Sequence, residues 1–186
     1  GVCGTVRLLT NVMGLWLLES CRREWEAEGR PQPIDALLAA VGRAGEPAGV
    51  IFPDDQRFFA PASMVRELRD ALRETGQQAP DDPVRLAKVV LDSLALRYAA
   101  SVRTIERITG RAIPGIHIVG GGSLNWYLNQ ATADAAGREV LAGPVEATAI
   151  GNLLVQEMSA GSMESLAEGR RLVLAARGQI FVAPDN

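Results

Sequence analysis

Ile116-His117-Ile118-Val119 runs straight into Gly120-Gly121-Gly122 and then Ser123. The apolar, β-branched run predicts a strand and the glycines a tight turn. Ser123 stands where it can cap a helix from Leu124 to Ala136 that Gly137 would end. Glu139-Val140-Leu141 then predicts a short strand before Gly143-Pro144. Another helix is expected from Ala147 to Ser159, carrying Ile150, Leu153 and Leu154, with Glu146 placed to cap it. Strand, helix, strand, helix in that order imposes an α/β class, a sheet flanked by helices and not an all-helical bundle.

Before this passage the chain reads as helical. Val12, Leu15, Trp16, Leu18 and Cys21 recur at three- and four-residue steps, predicting a helix over 11–28 with Asn11 as N-cap and Gly29 as the stop. A short helix follows Pro33, from Ile34 to about Gly42, and Val50-Ile51-Phe52 before Pro53 reads as a strand or an extended loop. Pro61 suits the first turn of a helix running to about Thr75. Asp82 as N-cap, Pro83 at the first helical position and Gly110 at the end bracket the longest helix. Its stripe is Leu86, Val90, Leu94, Tyr98, Val102, Ile105 and Ile108. A last helix is expected near Glu164–Arg177, ended by Gly178, with Gln179–Val182 extended before Pro184. There is no internal repeat, low-complexity tract or linker, so one domain is the default for 186 residues that are 47% hydrophobic.

Composition removes several function classes. The formal charge is -3 with no basic block, which argues against a nucleic-acid partner. The apolar runs are too short for a membrane span and the first residues lack signal-peptide order, so the expectation is a soluble cytoplasmic protein. Cys3 and Cys21 lack CxxC spacing, and His117 is the single histidine. A zinc site, a Cys–His pair and a Ser–His–Asp triad are each disfavoured.

The glycine turn is the local pattern with obvious chemistry. Residues without Cβ let the backbone approach a flat ring or a phosphate, and a helix N-terminus adds donors and partial positive charge. The pattern is neither the dinucleotide nor the P-loop fingerprint. Two readings stand side by side: a nucleotide site, or a tight turn that permits close helix–sheet packing. Asn125, in the first helical turn, can point its amide at the same ligand or act as a local cap.

Residues 116–156, IHIVGGGSLNWYLNQATADAAGREVLAGPVEATAIGNLLVQ, resemble the C-terminal signature of the FGGY carbohydrate kinases. LLTNVMGLWLLESCRREW at 8–25, RFFAPASMVRELRDALRETGQ at 57–77 and LDSLALRY at 91–98 are similar to the rhamnulokinase branch of that family. The resemblance implies the C-terminal half of an actin-like, ribonuclease-H-like ATPase fold, with ATP and Mg²⁺ as cofactors and a ketose as substrate. It places Gly120, Gly121 and Gly122 at adenine and ribose, Gly121 above all, with Asn125 beside the adenine. Asn11 matches an active-site contact at the start of the first helix. Glu19 stands where the branch usually has Gln at the nucleotide, and a carboxylate there is repelled by phosphates unless Mg²⁺ or a base lies between.

The resemblance also implies what these residues do not supply. The catalytic Asp, the phosphate loop of the N-terminal kinase domain and the first hairpin of this half are expected to lie outside them; Gly4-Thr5 lacks the Trp-Ser that follows the hairpin's Gly-Thr turn. Two functions follow as expectations. One is the nucleotide-binding part of a kinase, inactive alone and partnered by the missing domain. The other is a non-catalytic nucleotide-binding or oligomerising module whose apolar face makes a homo-oligomer. Trp16, Trp25 and Trp126 read as core or half-buried packing, His117 as a structural histidine and Asp54-Asp55 as a solvated turn.

Overall fold

The computed structural model describes residues 8–177 and 179–182. Cys3, Gly4-Thr5, Gly178 and Pro184 lie outside them. The chain divides into two units, Gly1–Ile113 and Pro114–Asn186.

In the first unit the described residues form four α-helices: α1 (Trp16–Ala27), α2 (Ile34–Arg43), α3 (Met64–Glu74) and α4 (Pro83–Thr109). Each buries a stripe set by the helical repeat: Leu17, Leu18, Cys21 and Trp25 on α1, Leu37, Leu38 and Val41 on α2, Met64, Leu68 and Leu72 on α3. α1 packs on α3 and α4, and α2 packs on α4. The caps of α4 are those the sequence signalled. Asp82 accepts from the Val84 and Arg85 N–H groups at 3.4 and 3.2 Å, and Gly110 ends the helix at φ +65°. Leu86, Val90 and Leu94 are buried and Tyr98, Val102 and Ile105 half-buried, but Ile108 is 65% exposed. α1 and α2, with 12 and 10 residues, are too short to cover all 27 residues of α4.

Two sequence expectations for this unit are corrected, and one left open is decided. Asn11 caps nothing: a turn with Gly14 at φ +64° precedes α1, whose N-cap position is Leu15. Pro61 lies before α3, and Ser63 is its cap, accepting from the Arg66 N–H at 3.2 Å. Of the two readings of Val50–Phe52 the extended loop is the one observed, and side chains satisfy its backbone. Gln77 takes the Val50 N–H at 2.7 Å and gives to the Val50 carbonyl at 2.8 Å, while the Ile51 N–H donates to the buried Ser93 hydroxyl at 3.0 Å.

Glu24 on α1 adds a second cap to α3. Its carboxylate accepts from the Ser63 hydroxyl at 2.7 Å and from the Met64 N–H, placing negative charge at the helix N-terminus. Glu24→Ala is therefore expected to lower the unfolding free energy by about 1–2 kcal/mol. Urea unfolding checks this, and a midpoint equal to the parent's would refute the cap. Burial, reinforced by the charge of Glu24, pushes the Cys21 thiol far above its ordinary range, so this cysteine is inert packing.

The second unit holds the α/β layer. β1 (Gly115–Ile118) and β2 (Glu139–Ala142) are parallel, with Ile116 opposite Val140, and α5 (Trp126–Ala136) makes the crossover between them. β3 (Gln179–Phe181) pairs antiparallel with β2, giving the order β1-β2-β3. α5 packs against β2 and β3. α6 (Ala147–Ser159) and α7 (Leu166–Arg177) pack on each other so closely at Gly169 that an added Cβ would sit 2.9 Å from Leu154 Cδ2 and Met163 Sδ. The apolar core of this unit is small: Leu128, Ala133, Val140 and Ala142 are buried, whereas α6 buries no residue. Glu146 occupies the N-cap position of α6 without a side-chain cap bond, correcting its expected role. Among the described residues no helix is long and apolar enough to cross a membrane.

Candidate functional site

β1 ends at Ile118 and the chain turns through Gly120 into a single 3-10 turn, Gly121–Leu124, before α5 begins. Gly120 lies at φ +77°, ψ −165°, a region that only glycine adopts without strain. Its N–H donates to the Pro144 carbonyl at 3.2 Å, and its carbonyl accepts from the Ser123 N–H at 3.0 Å and the Ser123 hydroxyl at 2.7 Å. The Gly143 N–H closes the same end of the sheet on the Ile118 carbonyl at 2.8 Å. Backbone geometry thus accounts for Gly120.

It does not account for its neighbour. Gly121 has no positive φ, it is exposed, and a Cβ built on it would find no atom within 4 Å. On Gly122 a Cβ would meet Ile118 Cγ2 at 3.8 Å, ordinary contact distance. Tight turning and close packing, the plain reading of the triple glycine, explain one glycine of the three. The surface over Gly121 is open to a flat group.

Asn125, and not Ser123, caps α5: its Oδ1 accepts from the Leu128 N–H at 3.0 Å, and the residue is 5% exposed. Ser123 lies within the 3-10 turn, two residues ahead of the N-cap position, and its hydroxyl donates to the Gly120 carbonyl. Gly120, Gly121, Gly122 and Asn125 are thereby brought into one turn. His117 donates through Nε2–H to the Gly143 carbonyl at 2.6 Å. A separate apolar cavity of about 360 Å³ in this unit is lined by Leu141, Pro144, Ile150, Leu154 and Val173, with Val119 its nearest approach in sequence to the glycines. Gly121 and Asn125 do not line it.

The first unit carries the other two candidates. Asn11 is exposed in the segment before α1. Glu19 is paired within its own helix to Arg22 at 2.6 Å and Arg23 at 3.5 Å, which offsets the charge that would repel a phosphate. Asp54 is no solvated turn residue. Its Oδ1 accepts from the Met13 N–H at 3.2 Å and its Oδ2 from Arg97 Nε at 2.5 Å, tying the segment after Asn11 to α4. Tyr98, raised in pKa by burial first and by Asp54 second, lies by the Gly14 turn. Trp25 is core as expected, while Trp16 and Trp126 are each 43% exposed. Among the described residues no group of three His, Cys, Asp or Glu side chains could hold a metal ion.

Comparison with known proteins agrees with this architecture. The family model for the FGGY family of carbohydrate kinases, C-terminal domain, matches residues 1–160. The chain is 41% identical over 173 residues to a rhamnulokinase of Bacteroides thetaiotaomicron, covering 93% of this chain and 35% of that protein. It is 39% identical over 167 residues to a rhamnulokinase of Halalkalibacterium halodurans, covering 90% of this chain and 35% of that protein. It thus spans about a third of the length of these relatives. The crystal structure of xylulose kinase from Rhodospirillum rubrum shares the fold, with a TM-score of 0.54 at 18% identity over 91% of this chain and 32% of that one. An α/β crossover closed by a glycine turn, matched by the family model over residues 1–160, makes this chain a C-terminal domain of the FGGY family of carbohydrate kinases.

Proposed function

We propose that the glycine turn receives the nucleoside of ATP or ADP, with Gly121 against the ring system and the Asn125 Nδ2 beside it. The observation that supports this is the needless glycine: neither backbone strain nor neighbouring atoms require Gly121 to lack a side chain. Glycine without such a need costs conformational entropy, so the open surface serves something that docks there. The start of α5 adds N–H donors and partial positive charge on the same side of the turn. Asn125 has its carbonyl oxygen committed to the cap, so its amide nitrogen is the group left to meet a base.

The resemblance to rhamnulokinases extends the reading to a kinase that transfers the γ-phosphoryl of MgATP to a ketose hydroxyl in the cytoplasm. Asn11 and Glu19 are further nucleotide contacts in this reading, Glu19 with its charge offset by two arginines. The donor set does not fit a protein-bound Mg²⁺, since the described residues assemble no acidic cluster. Mg²⁺ would then be held by the phosphates and by the N-terminal kinase domain, which also supplies the catalytic base. A second reading, an oligomerising module, is favoured by the apolar surface of the second unit, where Leu153, Val155 and Leu172 are each more than half exposed.

ADP titrated into the uniformly ¹⁵N-labelled chain is expected to shift the Gly120, Gly121 and Gly122 amide resonances before any others. Saturating shifts elsewhere, with these three unmoved, would remove the nucleoside from the turn.

A further inference from the structure

Beneath the glycine turn lies an amide that the sequence did not flag. Asn129 is 0% exposed, four residues beyond Asn125 on α5. Its Nδ2 donates to the Ser123 carbonyl at 2.9 Å, in the 3-10 turn that presents Gly121. Because that partner is a carbonyl oxygen, the nitrogen must face it, which fixes the orientation of the amide. The other end of the side chain, Oδ1, is buried without a hydrogen bond. The nearby buried polar groups are occupied elsewhere. The Thr132 hydroxyl donates to the Leu128 carbonyl at 2.6 Å, the Ser123 hydroxyl to the Gly120 carbonyl at 2.7 Å, and the Leu128 N–H to Asn125 at 3.0 Å.

A buried acceptor with no donor penalises the folded state, and an apolar side chain of similar size would avoid that penalty. What an apolar side chain cannot do is hold the Ser123 carbonyl. We infer that Asn129 is a positioning residue for the glycine turn, bracing Ser123 from below so that the Gly121 surface keeps the shape a nucleoside needs. The role rests on the nucleotide reading for its purpose, but its geometry does not. Among the described residues, the other hydrogen bonds of the turn run within itself and to Pro144. Removing it should loosen the turn without unfolding the unit.

The test uses the full ¹⁵N-labelled chain, wild type and Asn129→Leu. Without ligand, Asn129→Leu is expected to keep the parent's melting temperature, or exceed it as the orphaned acceptor disappears. The Gly121, Gly122 and Ser123 amide resonances should shift, and their hydrogen exchange should accelerate. ADP should bind roughly threefold to tenfold more weakly, the loss of one hydrogen bond. Unmoved turn resonances with unchanged exchange in a folded Asn129→Leu would overturn the proposal. Should that variant not fold, the wild type decides alone: one Asn129 side-chain amide proton exchanges slowly if the brace exists, and both exchange at solvent-like rates if it does not. The two readings fail separately. If ADP moves the turn resonances in wild type and Asn129→Leu binds it equally well, the brace is refuted and the nucleotide site stands. If ADP leaves the wild-type turn untouched while Asn129→Leu disturbs it, the brace stands and the nucleotide site is refuted.

Discussion

Gly121→Val is expected to fold like the parent chain and to lose most of its affinity for ADP. The folded state tolerates the change because the new Cβ meets no atom within 4 Å and the residue has no positive φ. A β-branched side chain in a 3-10 turn costs a few tenths of a kcal/mol in rotamer freedom, which thermal melting will barely register. The ligand tolerates it poorly. Two methyl groups standing where a ring should lie flat force it away, and overpacking of this kind costs about 1–3 kcal/mol, roughly a 5- to 150-fold weaker dissociation constant. Neighbouring positions separate the causes. Gly120→Val must adopt φ +77°, so it should lose stability by about 1–3 kcal/mol whatever binds. Asn125→Asp keeps the acceptor that caps α5 and removes only the amide donor, whereas Asn125→Ala removes both and destabilises the helix by about 1 kcal/mol. Calorimetric titration with ADP at matched thermal stability reads all four. A Gly121→Val protein that binds ADP as the wild type does would reduce the triple glycine to a turn.

Purified, the chain should phosphorylate no ketose. Phosphoryl transfer needs little covalent chemistry from a protein but much positioning, with charge stabilisation around the γ-phosphate and a base to take the hydroxyl proton. The described residues bring together no metal-binding cluster, and the one histidine is engaged with the Gly143 carbonyl. The chain spans about 35% of the rhamnulokinases it resembles. If the base and the phosphate clamp lie in the N-terminal kinase domain, as the resemblance implies, these residues alone should turn over at least roughly 10⁴-fold more slowly than a complete enzyme, which a coupled ADP-release assay with rhamnulose would read as background. Activity should return when a polypeptide carrying the N-terminal kinase domain is added. Turnover by the chain alone, persisting after a contaminating kinase has been removed, would overturn this and require a base within these residues.

Much of the architecture follows from short-range chemistry and was legible before any coordinates. Asp82-Pro83 and Gly110 bound α4 because a carboxylate cap, a missing N–H and a left-handed stop act within a few residues of themselves. Gly137 ends α5 for the same reason, and the β-branched run before the glycines is a strand. The family signature singled out the glycine turn, but could not say which of its glycines the backbone needs. φ/ψ values and the space around each Cβ assign Gly120 to conformation and leave Gly121 open.

Competition between polar side chains was not legible. Ser123 and Asn125 are both good caps, and the choice fell to Asn125 because the 3-10 turn Gly121–Leu124 sets Ser123 ahead of the first turn of α5, where its hydroxyl donates back to the Gly120 carbonyl. Glu24 reaches Met64 across 40 residues, Gln77 reaches Val50 across 27, and Arg97 reaches Asp54 across 43. Each joins groups with no local pattern between them. Asn129 looks like any polar residue on a helix until the fold buries it under Ser123. The helices, the strand–turn–helix order and the place of the glycine turn are written in short stretches of residues, because propensity, periodicity and capping act over one or two turns of chain. Which polar atoms meet depends on the folded arrangement, because a buried hydrogen bond requires its partners within about 3 Å, a distance set by how whole elements pack.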